Sequence, residues 1–383
     1  MESYDYVLVG GGLQNALVAM ALAEREPRPS IALVERGERL GGNHTWCFHE
    51  GDLPDGGAGF IDPLVAHRWT GHEVLFPTLR RRLQVPYAAI TSERLDQVLR
   101  ARLEPGALRL GRSARAIESH RVVLDDGQVL SGRVVIDARG PARGGEGTGE
   151  GGCGYQKFLG LELALERPHG LAVPLLMDAT VAQIDGFRFV YVLPLAPDRL
   201  LVEDTYFSDG AALDRAALRQ RALAYARSRG FGRAEVVREE EGVLPMPWRG
   251  DGLPRPAGDG PLVAGYQGGW FHPATGYSFP IAARLAALVG ALDGERLFGP
   301  ELARMAAAVR RQAAFARQLN RLLFRWCAPA ERWQILERFY RLPEELVRRF
   351  YALEMAPQDM ARIVIGRPPR GLSLRARLRG GTA

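Results

Sequence analysis

A chain of 383 residues is long enough for two or three packed layers and more than one domain, and 46% apolar content with 45 Gly and 25 Pro fits an α/β enzyme rather than a disordered or fibrous chain. No apolar run reaches the roughly 18 residues of a bilayer span, since Ile281 to Leu292 is short and interrupted by Arg284. The net charge of +6 hides an asymmetry: residues 296–383 hold 18 basic and 7 acidic groups, residues 1–295 hold 32 and 37, and Lys157 is the only lysine.

Residues 5–9 (Asp-Tyr-Val-Leu-Val) read as a buried strand running into Gly10-Gly11-Gly12, and Leu13 to Arg25 continue as an alanine-rich helix. Ser30 to Glu35 is a second apolar strand ending in an acid, 20 residues after Asn15, which completes a βαβ unit. A loop follows at Gly51 to Gly59, then a helix at Leu95 to Leu103. Arg121 to Leu124 and Gln128 to Leu130 flank the hairpin signal Asp125-Asp126-Gly127, and Val134 to Ile136 is another buried strand. Pro141 to Gly154 is glycine-rich and reads as a mobile loop or domain crossing. Phe187 to Leu193 and Leu200 to Phe207 predict an antiparallel hairpin in a second sheet, followed by a helix over Asp214 to Arg229. Leu262 to Ala264 returns to a buried strand, Thr275 to Leu292 predicts a long apolar helix, and Pro300 to Ile365 is helical.

The turn Gly10-Gly11-Gly12-Leu13-Gln14-Asn15 carries the first two glycines of G-x-G-x-x-G, with Asn15 in place of the third. Glycine lets the backbone turn tightly and approach a pyrophosphate, and the helix after it offers free N–H groups and a positive dipole end. Glu35 is placed to accept adenosine ribose hydroxyls. Alone, the glycines are equally an ordinary tight turn; the strand before, the helix after and the spaced acid select a dinucleotide. Farther on, Leu262 to Gly265, the loop Gln267 to Tyr277 and the long helix resemble the late strand, loop and helix that Rossmann-type flavoproteins bring to the ribityl chain and flavin ring. FAD is therefore favoured over NAD, with Gly265, Thr275 and Gly276 as contacts. Tyr266 stands where those flavoproteins carry the aspartate that bonds the ribityl group, which disfavours hydroxylase-type chemistry.

Six stretches together resemble the bacterial lycopene β-cyclases of carotenoid synthesis. They are Val9-Gly-Gly-Gly-Leu13, Gly42-Asn-His-Thr-Trp46 with Phe48-His49, Tyr155-Gln-Lys-Phe158, Val202-Glu-Asp-Thr-Tyr206 with Ser208-Asp209, His272-Pro-Ala-Thr-Gly-Tyr277 and Leu336-Glu-Arg-Phe-Tyr-Arg-Leu-Pro343. They keep the family's order over most of the chain; serine is the residue expected where Cys47 stands. The resemblance implies a reaction without net redox change. An acid protonates the terminal double bond of a ψ-end group, the tertiary cation closes on the neighbouring alkene, and proton loss gives a β-ionone ring, so lycopene becomes γ-carotene and then β-carotene. It also implies FAD acting in its reduced form, NAD(P)H as reductant, and related ψ-end carotenoids as further substrates.

Alkene protonation needs an acid kept neutral until it reacts, and burial of a carboxyl in an apolar wall raises its pKa accordingly. Glu203-Asp204 interrupts the apolar strand Leu200-Leu201-Val202. From the residues alone, a solvated strand end is an equal reading; the family's Glu-Asp-Thr motif implies that the first acid is essential. Neighbours on a strand point to opposite faces, so Glu203 is the expected general acid and Asp204 an orienting or structural partner. For the closing deprotonation His272 is a candidate, alongside the plainer role of bracing its loop. Trp270, Phe271, Phe187, Phe189 and Tyr191 are candidates to line a polyene groove.

Leu302 to Arg325 and Arg332 to Arg349 mix apolar residues with arginines, as a solvated capping face or as basic amphipathic helices on anionic lipid, where a long polyene dissolves. No nucleic-acid motif accompanies the charge. Cys47, Cys153 and Cys327 suit neither a disulfide framework nor a zinc site, and no metal is expected. With a strand starting close to Met1, the expected location is cytoplasmic, attached peripherally at the inner face of the membrane. The expected plan is α/β: a Rossmann-like FAD-binding domain (1–70, 93–155 and 258–298), an inserted antiparallel β-sheet substrate domain (71–92 and 156–257) and a basic helical C-terminal region (299–383). The rival function is a redox flavoenzyme, a hydroxylase or isoprenoid reductase acting on a hydrophobic substrate; the chain lacks a Trp-x-Trp-x-Ile-Pro halogenase motif and a second glycine motif.

Overall fold

Val7, Leu8 and Val9 are sealed from solvent because the opening strand, Glu2–Val9, lies mid-sheet, parallel to Ile31–Glu35 on one side and Val129–Asp137 on the other. A parallel sheet covered on both faces requires such unbroken apolar runs. The computed structural model describes residues 2–140, 152–250 and 260–365. Its first sheet has the order Leu108–Leu110, Ile31–Glu35, Glu2–Val9, Val129–Asp137, Arg121–Leu124, Ala114–Ile117, with Leu262–Val263 paired to the end of Val129–Asp137. Gly127 turns the predicted hairpin at φ +85°. Helix Leu13–Ala23 is buried along its whole length, since it is covered on its outer side by helix Phe279–Ala291. The two helices approach so closely at Gly290 that a Cβ there would lie 3.1 Å from that of Ala21.

The second sheet runs Ala234–Pro247, Cys153–Leu165, Arg199–Ser208, Phe187–Ala196, Leu175–Asp178, His72–Phe76, Leu79–Leu83. All neighbours are antiparallel except Leu175–Asp178 and His72–Phe76. Alternation along its strands sends Leu159, Leu161, Val190, Val202 and Tyr206 to one face, against helix Arg215–Ser228. Phe187, Phe189 and Phe207 go to the other, against Phe324, Phe339 and Phe350 of the C-terminal helices. A third, small sheet joins Thr45–His49, Tyr87–Thr91 and His67–Trp69. The fold is therefore a Rossmann-like α/β unit with an antiparallel sheet and a helical C-terminal region packed on it.

Several elements differ from expectation. Strand Cys153–Leu165 takes in the end of the predicted glycine-rich loop and crosses the 155/156 domain division; residues 141–151 of that loop lie outside the described residues. Ala234–Pro247, an edge strand, has no counterpart in the predicted elements. The helix expected from Thr275 begins at Phe279, because Gly276 sits at φ +67° and residues 272–276 form a turn closed by Gly276 N–H donating to the His272 carbonyl at 2.9 Å. From Pro300–Arg321 the chain continues through a π-turn, Leu322–Trp326, and helices Arg332–Phe339, Glu344–Tyr351 and Pro357–Val364. Not every arginine there serves a surface: Arg332 is wholly buried, donating to the Phe207 carbonyl (3.1 Å) and Asp209 Oδ1 (2.6 Å) with its guanidinium over Phe324. Residues 366–383 of the basic region lie outside the described residues. No helix among the described residues is long and apolar enough to cross a membrane.

Candidate active site

A cleft of about 2080 Å³ runs from the glycine turn, across the aromatic face of the second sheet, to the C-terminal helices. Single ligand pockets hold about 300–1,000 Å³, so this space suits a dinucleotide and a second, long ligand. At its first end Gly10 adopts φ +99°, where a Cβ would press within 2.8 Å of the Ala138 carbonyl oxygen. Gly11 is packed against Leu40 and Glu35, whereas a Cβ on Gly12 would meet nothing within 4 Å. Gly12 caps helix Leu13–Ala23 with no side chain on its first N–H groups, which are left for a ligand anion. Asn15, wholly buried, donates from Nδ2 to the carbonyls of Val9 (3.0 Å) and Gly10 (2.9 Å), so the missing third glycine is replaced by an internal brace. Glu35 accepts from Gly11 N–H at 2.7 Å and Gly37 N–H at 2.8 Å while its side chain lines the cleft with Leu13. Gly265 (φ +61°) stands beside this turn, where a Cβ would come within 3.8 Å of Gln14 and 3.9 Å of Ala138, and Thr275 and Gly276 also line the cleft, with the Tyr266 hydroxyl donating to the Gly276 carbonyl. Seven of the eight residues expected to hold a dinucleotide thus line one cavity, and Gly11 sits behind them, buried against Leu40 and Glu35 with its N–H on the Glu35 carboxylate. Among the described residues no group of three or more His, Cys, Asp or Glu is placed to hold a metal.

The sheet register sets Tyr191, Glu203, Gly160 and Glu240 abreast on four neighbouring strands. Glu203 and Tyr191 line the cleft. The Glu203 carboxyl accepts from the Thr205 hydroxyl at 2.7 Å. Partly open to the cleft but ringed by protein, it is pushed up to about 8 by desolvation, with the Glu240 charge adding to the rise and the Thr205 bond opposing it. Glu240 is buried and held by Arg238 at 2.8 Å and the Thr45 hydroxyl at 3.1 Å. Gly160, between the two acids in the register, adds no side chain of its own; a Cβ there would lie 3.0 Å from Glu240 Cγ and 3.2 Å from Leu201 Cδ1.

Asp204 faces the other way, as strand geometry requires. It is wholly buried, accepts from Arg188 Nε at 2.7 Å and Nη2 at 3.3 Å, and takes the Tyr206 hydroxyl at 2.7 Å. His272 is also wholly buried: Nδ1 accepts from Ala274 N–H at 3.1 Å, which leaves Nε2 to donate to the Phe350 carbonyl at 3.0 Å. Desolvation drives this imidazole down to about 3. With both nitrogens committed to backbone, His272 braces its loop against the C-terminal helices, the plainer of the two roles expected of it. Phe189, Tyr191, Trp270 and Phe271 line the cleft, whereas Phe187 is core beside Phe76 and Phe207.

Sequence reasoning missed Glu240, Tyr87 and the pair His49 and Asp52. The Tyr87 hydroxyl lies 3.0 Å from that of Tyr191, with Cys47 packed beside them, its thiol pushed up to about 12 by burial. Only the three-residue spacing of His49 and Asp52, the first within a motif already singled out, hinted at that pair.

A family model described as lycopene cyclase protein matches residues 5–377. A lycopene beta-cyclase from Pseudescherichia vulneris is 44% identical over 371 residues, covering 95% of this chain and 94% of that protein. Another, from Pantoea ananas, is 41% identical over 373 residues, covering 96% and 95%. Among solved structures, a flavin-dependent brominase shares the fold with a TM-score of 0.60 at 15% identity, covering 94% of this chain and 98% of that one.

Proposed function

The chain belongs to the lycopene cyclase protein family, and from that premise we propose that it closes the ψ-end groups of lycopene and related carotenoids to β-ionone rings, through γ-carotene to β-carotene, with no net redox change. The observation that carries the mechanism is the Glu203 carboxyl, set in an aromatic cleft wall and held protonated near neutral pH by desolvation and a neighbouring negative charge. Glu203 gives its proton to the terminal alkene. The tertiary cation then closes on the neighbouring alkene, whose electron pair becomes the new ring bond, and one proton leaves to regenerate a double bond. One proton enters and one departs, so the product is an isomer. Tyr191 and Phe189 present ring faces that favour the cation.

FAD fits the residues at the first end of the cleft. Gly12 opens on free space beside uncapped helix N–H groups, Glu35 is proposed to accept the ribose hydroxyls, and Gly10, Leu13, Gly265, Thr275 and Gly276 complete the cradle, with Gly11 buried behind it as the donor that orients Glu35. When bound in reduced form, the flavin supplies negative charge next to the cationic transition state in a water-poor site. NAD(P)H is the proposed reductant. The redox alternative is not favoured: the relatives that span the chain are cyclases, and Tyr266 spends its hydroxyl on the Gly276 carbonyl.

The polyene is proposed to enter where Leu336, Leu342, Ile363 and Val364 line the far end of the cleft, close to the exposed Ile365. The basic C-terminal region supports peripheral attachment there to anionic lipid on the cytoplasmic side. In this scheme the flavin-binding unit takes 1–70, 93 to just before Cys153, and 258–298; the substrate unit takes 71–92 and Cys153 to 257; and 299–383 is the basic C-terminal region, whose described part, 299–365, packs on both. Incubating the protein anaerobically with lycopene and reduced FAD, then chromatographing the carotenoids, tests the function. Cyclised product without matching nicotinamide consumption is expected; nicotinamide or oxygen used in proportion to product would overturn it.

A further inference from the structure

We propose that His49, backed by Asp52, is the base that removes the ring proton and thereby fixes which double bond the product carries. The role rests on the cyclase function proposed above. His49 ends strand Thr45–His49, and the short turn Glu50–Asp52 brings Asp52 back beneath it. The imidazole is 6% exposed and lines the cleft. Asp52 Oδ2 accepts from His49 N–H at 2.9 Å and from the Tyr277 hydroxyl at 2.5 Å, and stands 3.5 Å from His49 Nδ1. Neither Asp52 Oδ1 nor His49 Nδ1 has a hydrogen-bond partner, although both are sealed from solvent. A histidine whose Nδ1 stands 3.5 Å from a buried carboxylate without bonding it, so that the carboxylate is at hand to stabilise an imidazolium while the other nitrogen is left for a ligand, is placed to act as a general base.

Its position along the cleft fits the second proton transfer. The His49 ring stands 5.0 Å from Tyr87, whose hydroxyl meets that of Tyr191, and Tyr191 lies abreast of Glu203. Acid and base thus share one wall, separated by two aromatic side chains, with His72, Tyr277 and Tyr351 packed around the imidazole. Other groups are less suited. His272 has both nitrogens on backbone, Asp204 faces away, Glu240 is held by Arg238, and His44 is exposed at the rim. The Tyr87, Tyr191 and Tyr277 hydroxyls, all raised well above their ordinary value by burial, stay protonated and are poor acceptors. In the step itself, the C–H electron pair of the ring carbon becomes the second bond of the ring alkene. The proton moves to the imidazole and from there to solvent, while Glu203, ionised by the first step, regains one.

His49→Phe keeps the ring volume and removes the nitrogens; His49→Gln is read the same way and serves if the first variant does not fold. Each is loaded with flavin and assayed with lycopene in D₂O. Cyclisation is expected to fall by about 10²–10⁴, the usual contribution of a general base. Two further signatures are expected: recovered lycopene carries deuterium, because in D₂O Glu203 delivers D to the alkene and the cation, reopened, gives the original H of that carbon back to Glu203, and the remaining product contains rings formed by other proton losses or by water capture. A purely structural role would lower cyclisation and deuterium uptake together and leave the ring type unchanged. Either that pattern or near-normal activity in a flavin-loaded variant overturns the assignment.

Discussion

Glu203 and Glu240 point to the same face of the second sheet from strands separated only by the one that carries Gly160, which puts no side chain of its own between them. Two carboxylates this close resist ionising together. Arg238 and Thr45 bond Glu240, and Glu203 has only the Thr205 hydroxyl, so the negative charge settles on Glu240 and the proton on Glu203. The protonated acid is the active form, so kcat/KM is expected to fall as pH rises through about 8. Glu240→Gln removes the charge that opposes ionisation, lowers the Glu203 pKa, and moves this alkaline limb to lower pH. A pH–rate profile of the variant checks it; an unmoved limb means that desolvation alone holds the proton.

Glu203→Gln is expected to cut cyclisation by about 10²–10⁴ while flavin stays bound. Stability supplies an independent reading of the same group. The folded carboxyl at about 8 holds its proton more tightly than the unfolded one at 4.5. The stability this contributes is complete below 4.5 and declines as pH rises toward about 8. Glutamine has no such dependence. The two proteins should melt alike in acid, and the variant should gain on the wild type between these limits, with no further gain above them. Thermal melts across that range measure the difference.

The glycine turn separates a cofactor effect from a folding effect. Gly12 has ordinary extended backbone and an open surround, so Gly12→Val is expected to melt within a few degrees of wild type yet lose flavin on purification. Gly10→Ala forces a Cβ onto the Ala138 carbonyl at φ +99° and should cost about 1–3 kcal/mol of stability. Flavin absorbance per protein and melting temperature distinguish the two. Flavin retained in Gly12→Val would place the cofactor elsewhere.

How much of this was legible follows from where the information lies. The βαβ unit was readable because buried parallel strands are continuous apolar runs, and the turn after the first carries its own glycines. The hairpin around Pro194 to Arg199 was readable for the same local reason. Ala234–Pro247 was not: it is an edge strand whose outward residues include Arg and Glu, so Arg238-Glu-Glu-Glu241 looks like a solvated run. The partnership of Glu203 and Glu240 depends on two strand registers meeting at Gly160, which no local pattern encodes. The opposite orientations of Glu203 and Asp204, by contrast, followed from strand period alone.

That second acid gives the clearest test of the division of labour. Asp204 is wholly buried with Arg188 and Tyr206, on the sheet face covered by helix Arg215–Ser228 rather than in the cleft. Breaking a buried pair by removing one partner leaves an uncompensated charge, so Arg188→Met should destabilise the fold by about 3–5 kcal/mol. Combining it with Asp204→Asn removes the stranded charge and should restore part of the loss, a coupling that a double-mutant cycle measures. Asp204→Asn alone leaves the Arg188 guanidinium without its ion partner and should lower the melting temperature too. Because Asp204 does not reach the substrate, its loss should lower activity only as far as folded protein is lost. If instead folded, flavin-loaded Asp204→Asn is as inactive as Glu203→Gln, the proton path runs through both acids, and the orientation of Glu203 alone does not account for the chemistry.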